Sequence, residues 1–142
     1  MNDDKELEPV LARFSKGWGT YVDVNKGWYP IITDLNQKLA YLYPDYEIQQ
    51  IKEKFGTLRY YCAYGDGGNV KSEIADDLIR LAEYYSSRTC EVCGSCSVRG
   101  TKDIRLDETV KVRSNAGWYK TLCLGCAIER GYEFTEEELE DQ

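Results

Sequence analysis

The chain has 142 residues, 42% of them hydrophobic and 30% charged, with a formal net charge of −7. That hydrophobic share is enough for a folded core and excludes wholesale disorder, and the length fits one compact domain or a domain with a small metal-bound module. No apolar run approaches the roughly 20 residues that cross a bilayer, and the acidic start Met1-Asn2-Asp3-Asp4-Lys5-Glu6 lacks a signal-peptide layout, so no membrane association and a cytoplasmic location are expected.

In chain order, Asp3 or Asp4 can cap a short helix to about Ser15, with Leu7, Val10, Leu11 and Phe14 on one face. Gly17-Trp18-Gly19 and Asn25-Lys26-Gly27 interrupt that pattern. Trp28-Tyr29-Pro30 then opens a second helix, because proline's missing N–H costs nothing in a first turn. Ile31, Ile32, Leu35, Leu39 and Leu42 give it an apolar stripe, and Pro44 ends it.

Residues 46–64 read as a β-hairpin turning at Lys54-Phe55-Gly56, with Leu58, Tyr60, Cys62 and Tyr64 on one face. Gly65-Asp66-Gly67-Gly68-Asn69 connects it to the next helix and lacks the spacing of a phosphate-binding loop. That helix, roughly 70–87, is expected to bury Ile74, Leu78, Leu81 and Tyr85 while Lys71, Asp77, Arg80 and Glu83 face water. The first 88 residues are thus expected to form an α+β body of two amphipathic helices and a β-hairpin.

The chemistry is concentrated further on. Cys90-Glu91-Val92-Cys93 and Cys123-Leu124-Gly125-Cys126 are two CxxC pairs about thirty residues apart, a spacing suited to two knuckles that present four sulfurs tetrahedrally to zinc. Four thiolates leave no open coordination position, so the expected ion is structural Zn2+. Residues 109–113 and 118–122 are strand-like around the turn Ser114-Asn115-Ala116-Gly117, which makes residues 89–132 a C-terminal zinc-ribbon module. Cys96 extends the first pair to CxxCxxC, but the rest of the iron–sulfur pattern is missing; it reads as a spare thiol or an alternative ligand. Cys62 alternates within a strand and reads as a small buried hydrophobe.

Two stretches carry a resemblance. Gly27-Trp28-Tyr29-Pro30-Ile31-Ile32 and Lys52-Glu53-Lys54-Phe55-Gly56-Thr57-Leu58-Arg59-Tyr60-Tyr61, followed by Thr89 to Gly94 and Gly117 to Cys123, resemble segments of small phage and prophage zinc-ribbon proteins. The likeness covers about residues 27–127, with Lys54-Phe55-Gly56-x-Leu58-Arg59 its most distinctive part. Members often carry histidine near the last ligand; here Cys126 stands there, and the chain has no histidine. The resemblance implies no activity. It implies the cytoplasm of a bacterial host and a mobile-element setting in which small proteins act by binding host machinery.

Without histidine the usual proton shuttle at neutral pH is missing, and the carboxylate pairs Asp76-Asp77 and Asp107-Glu108 are sequence neighbours that diverge on a helix. A non-enzymatic protein is therefore expected, and a protein partner, with inhibition of host machinery or defence as one form that binding takes. Nucleic acid is the alternative. Residues 88–130 hold eight basic residues against five acidic, and Arg105, Lys111 and Arg113 with Trp118 could form a stacking, phosphate-binding face. For a protein partner the candidate patch is Lys54, Phe55 and Arg59 at the hairpin turn. The tail, residues 133–142, carries six acidic residues and no basic one; it could dock on a basic partner, mimic nucleic-acid charge or stay solvated.

Overall fold

The computed structural model describes residues 2–17, 19–94, 109–113 and 119–131, the side chains of 2–4, 109–111 and 113 excepted. The acidic tail lies outside the described residues. The protein is a mixed α+β structure with a three-stranded sheet, β1-β2-β3, and a separate two-stranded pair, β4-β5. No helix among the described residues is long and apolar enough to cross a membrane.

The chain opens with a 3-10 helix, Asn2–Leu7, continued by the one-turn helix α1, Glu8–Leu11. It stops short of the expected Ser15 because the backbone is claimed by the sheet: the Ser15 N–H donates to the Ile48 carbonyl and the Ile48 N–H to that of Arg13. The strand β1, Val22–Asp23, runs parallel to β2 just beyond, where sequence reading finds only breaks. Residues 13–15 and 21–23 thereby cover the free edge of β2, which would otherwise offer unpaired backbone groups to another chain.

The next 3-10 turn, Lys26–Trp28, leads into α2, Tyr29–Leu42, with proline in its first turn as the sequence requires. Trp28, Ile32, Leu35 and Leu39 are buried along one face, and Tyr43 leaves the helix one residue before Pro44. The hairpin follows as β2, Glu47–Lys54, and β3, Thr57–Ala63. Ile48 and Ile51 are both fully buried although three residues apart. A regular strand would send them to opposite faces; the register shift between Ile48 and Gln50 returns them to one. Between sheet and helix the Tyr46 hydroxyl donates to Asn36 Oδ1 and lies 2.7 Å from the Tyr60 hydroxyl, so these three buried groups satisfy one another.

Helix α3, Val70–Ser86, starts at a capping box: the Ser72 N–H donates to Asn69 Oδ1 and the Asn69 N–H to Ser72 Oγ. Its buried face differs from the expected one, although Leu78 packs partly buried against the core as expected. Ser72, Ala75, Ala82 and Ser86 are buried, whereas Ile74, Leu81 and Tyr85 are 45%, 46% and 44% exposed. Each of the last three buried positions follows one of these three exposed ones, which amounts to a rotation of about 100° at 3.6 residues per turn. The reason is the edge of β3. Fully buried Ser86 takes the Leu58 backbone N–H on its hydroxyl at 2.8 Å, and only small side chains let α3 come that close. The larger apolar residues are left on the outside, beside α2.

Candidate metal centre

Thr89 follows the end of α3, and the chain turns through Cys90-Glu91-Val92-Cys93-Gly94 in a tight knuckle. Its Cys93 N–H points at Cys90 Sγ at 3.5 Å, and the Gly94 N–H closes on the Cys90 carbonyl at 2.9 Å. Gly94 sits at φ +86, a conformation that suits glycine. The second pair is built differently. Cys123 ends β5, Tyr119–Cys123, and caps α4, Leu124–Glu129, so Cys126 lies in a helix's first turn and its N–H donates to Cys123 Sγ at 3.4 Å. The antiparallel partner of β5 is β4, Thr109–Arg113.

The two pairs converge. All four sulfurs lie within 4.8 Å of one another, and Cys93 Sγ stands 3.7 Å from Cys123 Sγ. Tetrahedral coordination at a metal–sulfur distance of about 2.3 Å requires sulfurs about 3.8 Å apart, so this spacing suits an ion of that size. The thiol chemistry agrees. Burial and the neighbouring sulfurs push the Cys123 and Cys126 thiols up, a cost that a cation bound among them would reverse. Cys90 and Cys123 are buried, Cys126 is half-buried and Cys93 is exposed. The quartet expected from the sequence can thus hold a metal ion.

Around the quartet lies a seam that spacing did not reveal. Gly27 donates its N–H to the Glu91 carbonyl at 2.7 Å, and a Cβ on Gly27 would stand 2.4 Å from the carbonyl oxygens of Cys90 and Glu91. Trp28 Nε1 donates to the Thr89 carbonyl at 2.9 Å. Thr121 Oγ1 donates to the Gly56 carbonyl at 2.6 Å, which ties β5 to the hairpin turn. The Glu91 side chain, 1% exposed, accepts from the Asn25 N–H and from Lys120, which also reaches Glu53. Burial raises the Glu91 carboxyl, although Lys120 pulls the other way; burial lowers the Lys120 ammonium, but the two carboxylates outweigh it. Nothing in a CxxC pattern announces that its first intervening residue is a buried anion.

The expected contact residues are scattered. Phe55 is 60% exposed at φ 56, with the Lys54 ammonium over its ring. Arg59 is half-buried, its Nε without a hydrogen-bond partner, and it faces Glu83 of α3 rather than standing beside Phe55 at the tip. Lys111 and Arg113 lie in β4, and their side chains are outside the described residues, as are Arg105, Trp118 and Cys96 altogether. Lys120, counted among the strand cations, is engaged by Glu53 and Glu91.

A cleft also opens between α2 and α3 and ends at the knuckle. Its cavity of about 440 Å³ is lined by Pro30, Ile31, Leu78, Leu81, Tyr85 and Cys93 among others, with Lys26, Asp34 and Lys38 as its charged residues. A shallower cavity continues past Lys38 to Tyr41 and Ile74. The rotated α3 makes this groove by leaving its large side chains outside. No protein-family model, curated protein or solved structure matches the chain.

Proposed function

We propose that this is a non-enzymatic binding protein of a bacterial mobile element, held together by a structural Zn2+ on Cys90, Cys93, Cys123 and Cys126, and that its partner is a host protein in the bacterial cytoplasm. The zinc reading rests on four converging thiols at tetrahedral spacing with no place left for a substrate ligand. The module is a zinc-ribbon variant in which a helix, rather than a second strand turn, carries the last ligand.

The observation that carries partner binding is the α2–α3 cleft. Ile31, Ile74, Leu78, Leu81 and Tyr85 form an apolar trough, and α2 from Pro30 to Tyr41 gives it a length of about 17 Å at 1.5 Å per residue. That length suits three turns of an amphipathic helix, docked by its apolar face with an acidic group toward Lys26, Lys38 being already paired with Asp34. Exposed apolar surface of this kind costs solubility unless a partner uses it.

Affinity capture from a bacterial lysate, with and without nuclease, tests the reading. A discrete protein that resists nuclease, is lost with Leu81→Asp and is kept with Lys111→Glu is the expected result. Nuclease-sensitive recovery that follows Lys111→Glu would replace it with the nucleic-acid reading. Metal analysis of the purified chain tests zinc separately, and iron with sulfide would point to a cluster instead.

A further inference from the structure

The four ligands are not equally placed. Cys90 and Cys123 are buried and Cys126 is half-buried, while Cys93 is exposed and lines the α2–α3 cleft together with Leu78, Leu81 and Tyr85. A metal-bound thiolate remains a nucleophile when a reagent can reach it. An apolar trough lined by Cys93 and by none of the other three ligands concentrates reagents with an apolar body at that residue.

Resting on the zinc reading above, we propose that Cys93 is a modification site. It is the ligand through which soft electrophiles with an apolar body, of the α,β-unsaturated carbonyl class, open the metal centre.

The Cys93 Sγ lone pair forms the new S–C bond at the β-carbon of the acceptor. The electron pair of the C=C bond moves onto the carbonyl as an enolate, and water protonates the α-carbon. Cys93 becomes a neutral thioether and gives up its coordination bond; Cys90, Cys123 and Cys126 remain as three ligands. Gly94, next to Cys93 in the knuckle, lies so close to Gly27 that a Cβ added to it would stand 3.3 Å from the Gly27 carbonyl, so the knuckle borders the seam. Adduct formation therefore reports to the seam as well as to the ion.

The test compares N-phenylmaleimide with N-(2-hydroxyethyl)maleimide, which share one reaction and differ in the apolar body. Metal content is measured first; a metal-free protein refutes the zinc reading itself. On metal-loaded full-length chain, peptide mapping by mass spectrometry follows each cluster cysteine while a chromogenic chelator reads released metal. The expected result is Cys93 reacting about tenfold faster than Cys90, Cys123 or Cys126, with one metal released per Cys93 adduct. N-phenylmaleimide should outpace the polar reagent, and Leu81→Asp should remove most of that preference while leaving the polar reagent's rate unchanged. Equal reaction at all four ligands, or Cys93 adducts that release no metal, would overturn the proposal. So would a reagent preference that Leu81→Asp does not alter.

Discussion

Two regions of this molecule reach a fixed structure by opposite routes. The body packs fourteen buried hydrophobic side chains, from Leu7 to Ala82, between two helices and a sheet. Among the described residues, the C-terminal module has a cluster of five, and two of those are the cysteines Cys90 and Cys123. Small cores are commonly completed by a staple, a part that the proposed metal ion would play. Cohesion in the body is divided among many side chains, so each loss is partial. On the zinc reading proposed above, cohesion in the module depends on one ion, so its loss is total.

Removing the ion is the strongest way to break that symmetry. Zinc binding is worth about 10 kcal/mol or more in small thiolate sites, and on the proposed reading it is folding energy here. Chelation or Cys93→Ser should abolish slow hydrogen exchange in β4, β5 and α4 while α2, β2 and β3 keep theirs. Uniform loss across both regions would mean that the body, too, depends on the metal. In the body the matching experiment is milder. Leu39→Ala, at a fully buried position, should cost about 2–5 kcal/mol in a denaturant titration and leave metal content at one ion per chain.

The seam between the regions gives a third, intermediate effect. A methyl on Gly27 meets two backbone carbonyl oxygens at 2.4 Å, and backbone cannot move aside as a side-chain tip can. Gly27→Ala should separate the regions without unmaking either: metal stays bound, the Trp28 indole loses its Thr89 carbonyl, and tryptophan emission shifts to the red. Loss of metal in this variant would show that docking, and not the ion alone, assembles the knuckle.

How much of this was legible follows the same division. Helix α2, the hairpin and the cysteine quartet are written in local spacing: a proline in a first turn, alternation about Phe55-Gly56, and two CxxC pairs. The face of α3 was not, because Ile74, Leu81 and Tyr85 satisfy helical periodicity as well as Ala75, Ala82 and Ser86 do. The choice is made by a tertiary bond, Ser86 to the Leu58 N–H. Strand β1 is two residues long, too short for alternation to register, and exists only because β2 has an edge to cover. The Gly27 seam is a contact across more than sixty residues, invisible to any window. Local order was readable; the surfaces by which elements meet were not.

The two regions should also fail at opposite ends of the pH scale. Burial pushes the Cys62 thiol from 9.0 up to about 12, and the Tyr46 hydroxyl from 10.0 up to about 12. Both are held neutral in the fold, so the stability they carry is complete below the unfolded values and lost as pH rises from about 9 to 12. Melting temperature should fall across that window, and Cys62→Ala should remove the part that begins near pH 9. The module should fail in acid instead, where protons compete with metal for sulfur. A single transition that moves identically at both extremes would count against two separately stabilised regions.

The smallest expected effect sits where the regions touch, at the hairpin turn. Phe55 and Gly56 both have positive φ, 56 and 82, as a two-residue turn between twisted strands demands. Glycine meets that demand without strain, whereas a bulky aromatic residue does not. Asparagine is the residue this position favours, so Phe55→Asn should stabilise the body by about 0.5–1 kcal/mol, read as a higher denaturant midpoint at unchanged slope. The Lys54 ammonium over the ring returns too little at an exposed site to cancel that gain. An exposed phenylalanine kept in a strained turn is a residue retained against stability, and such residues gather where a surface is used. If the midpoint rises and partner capture falls together, the hairpin tip belongs to the binding surface along with the cleft. If the midpoint rises and capture is untouched, binding is confined to α2 and α3, and the turn serves only to meet Thr121 of the metal module.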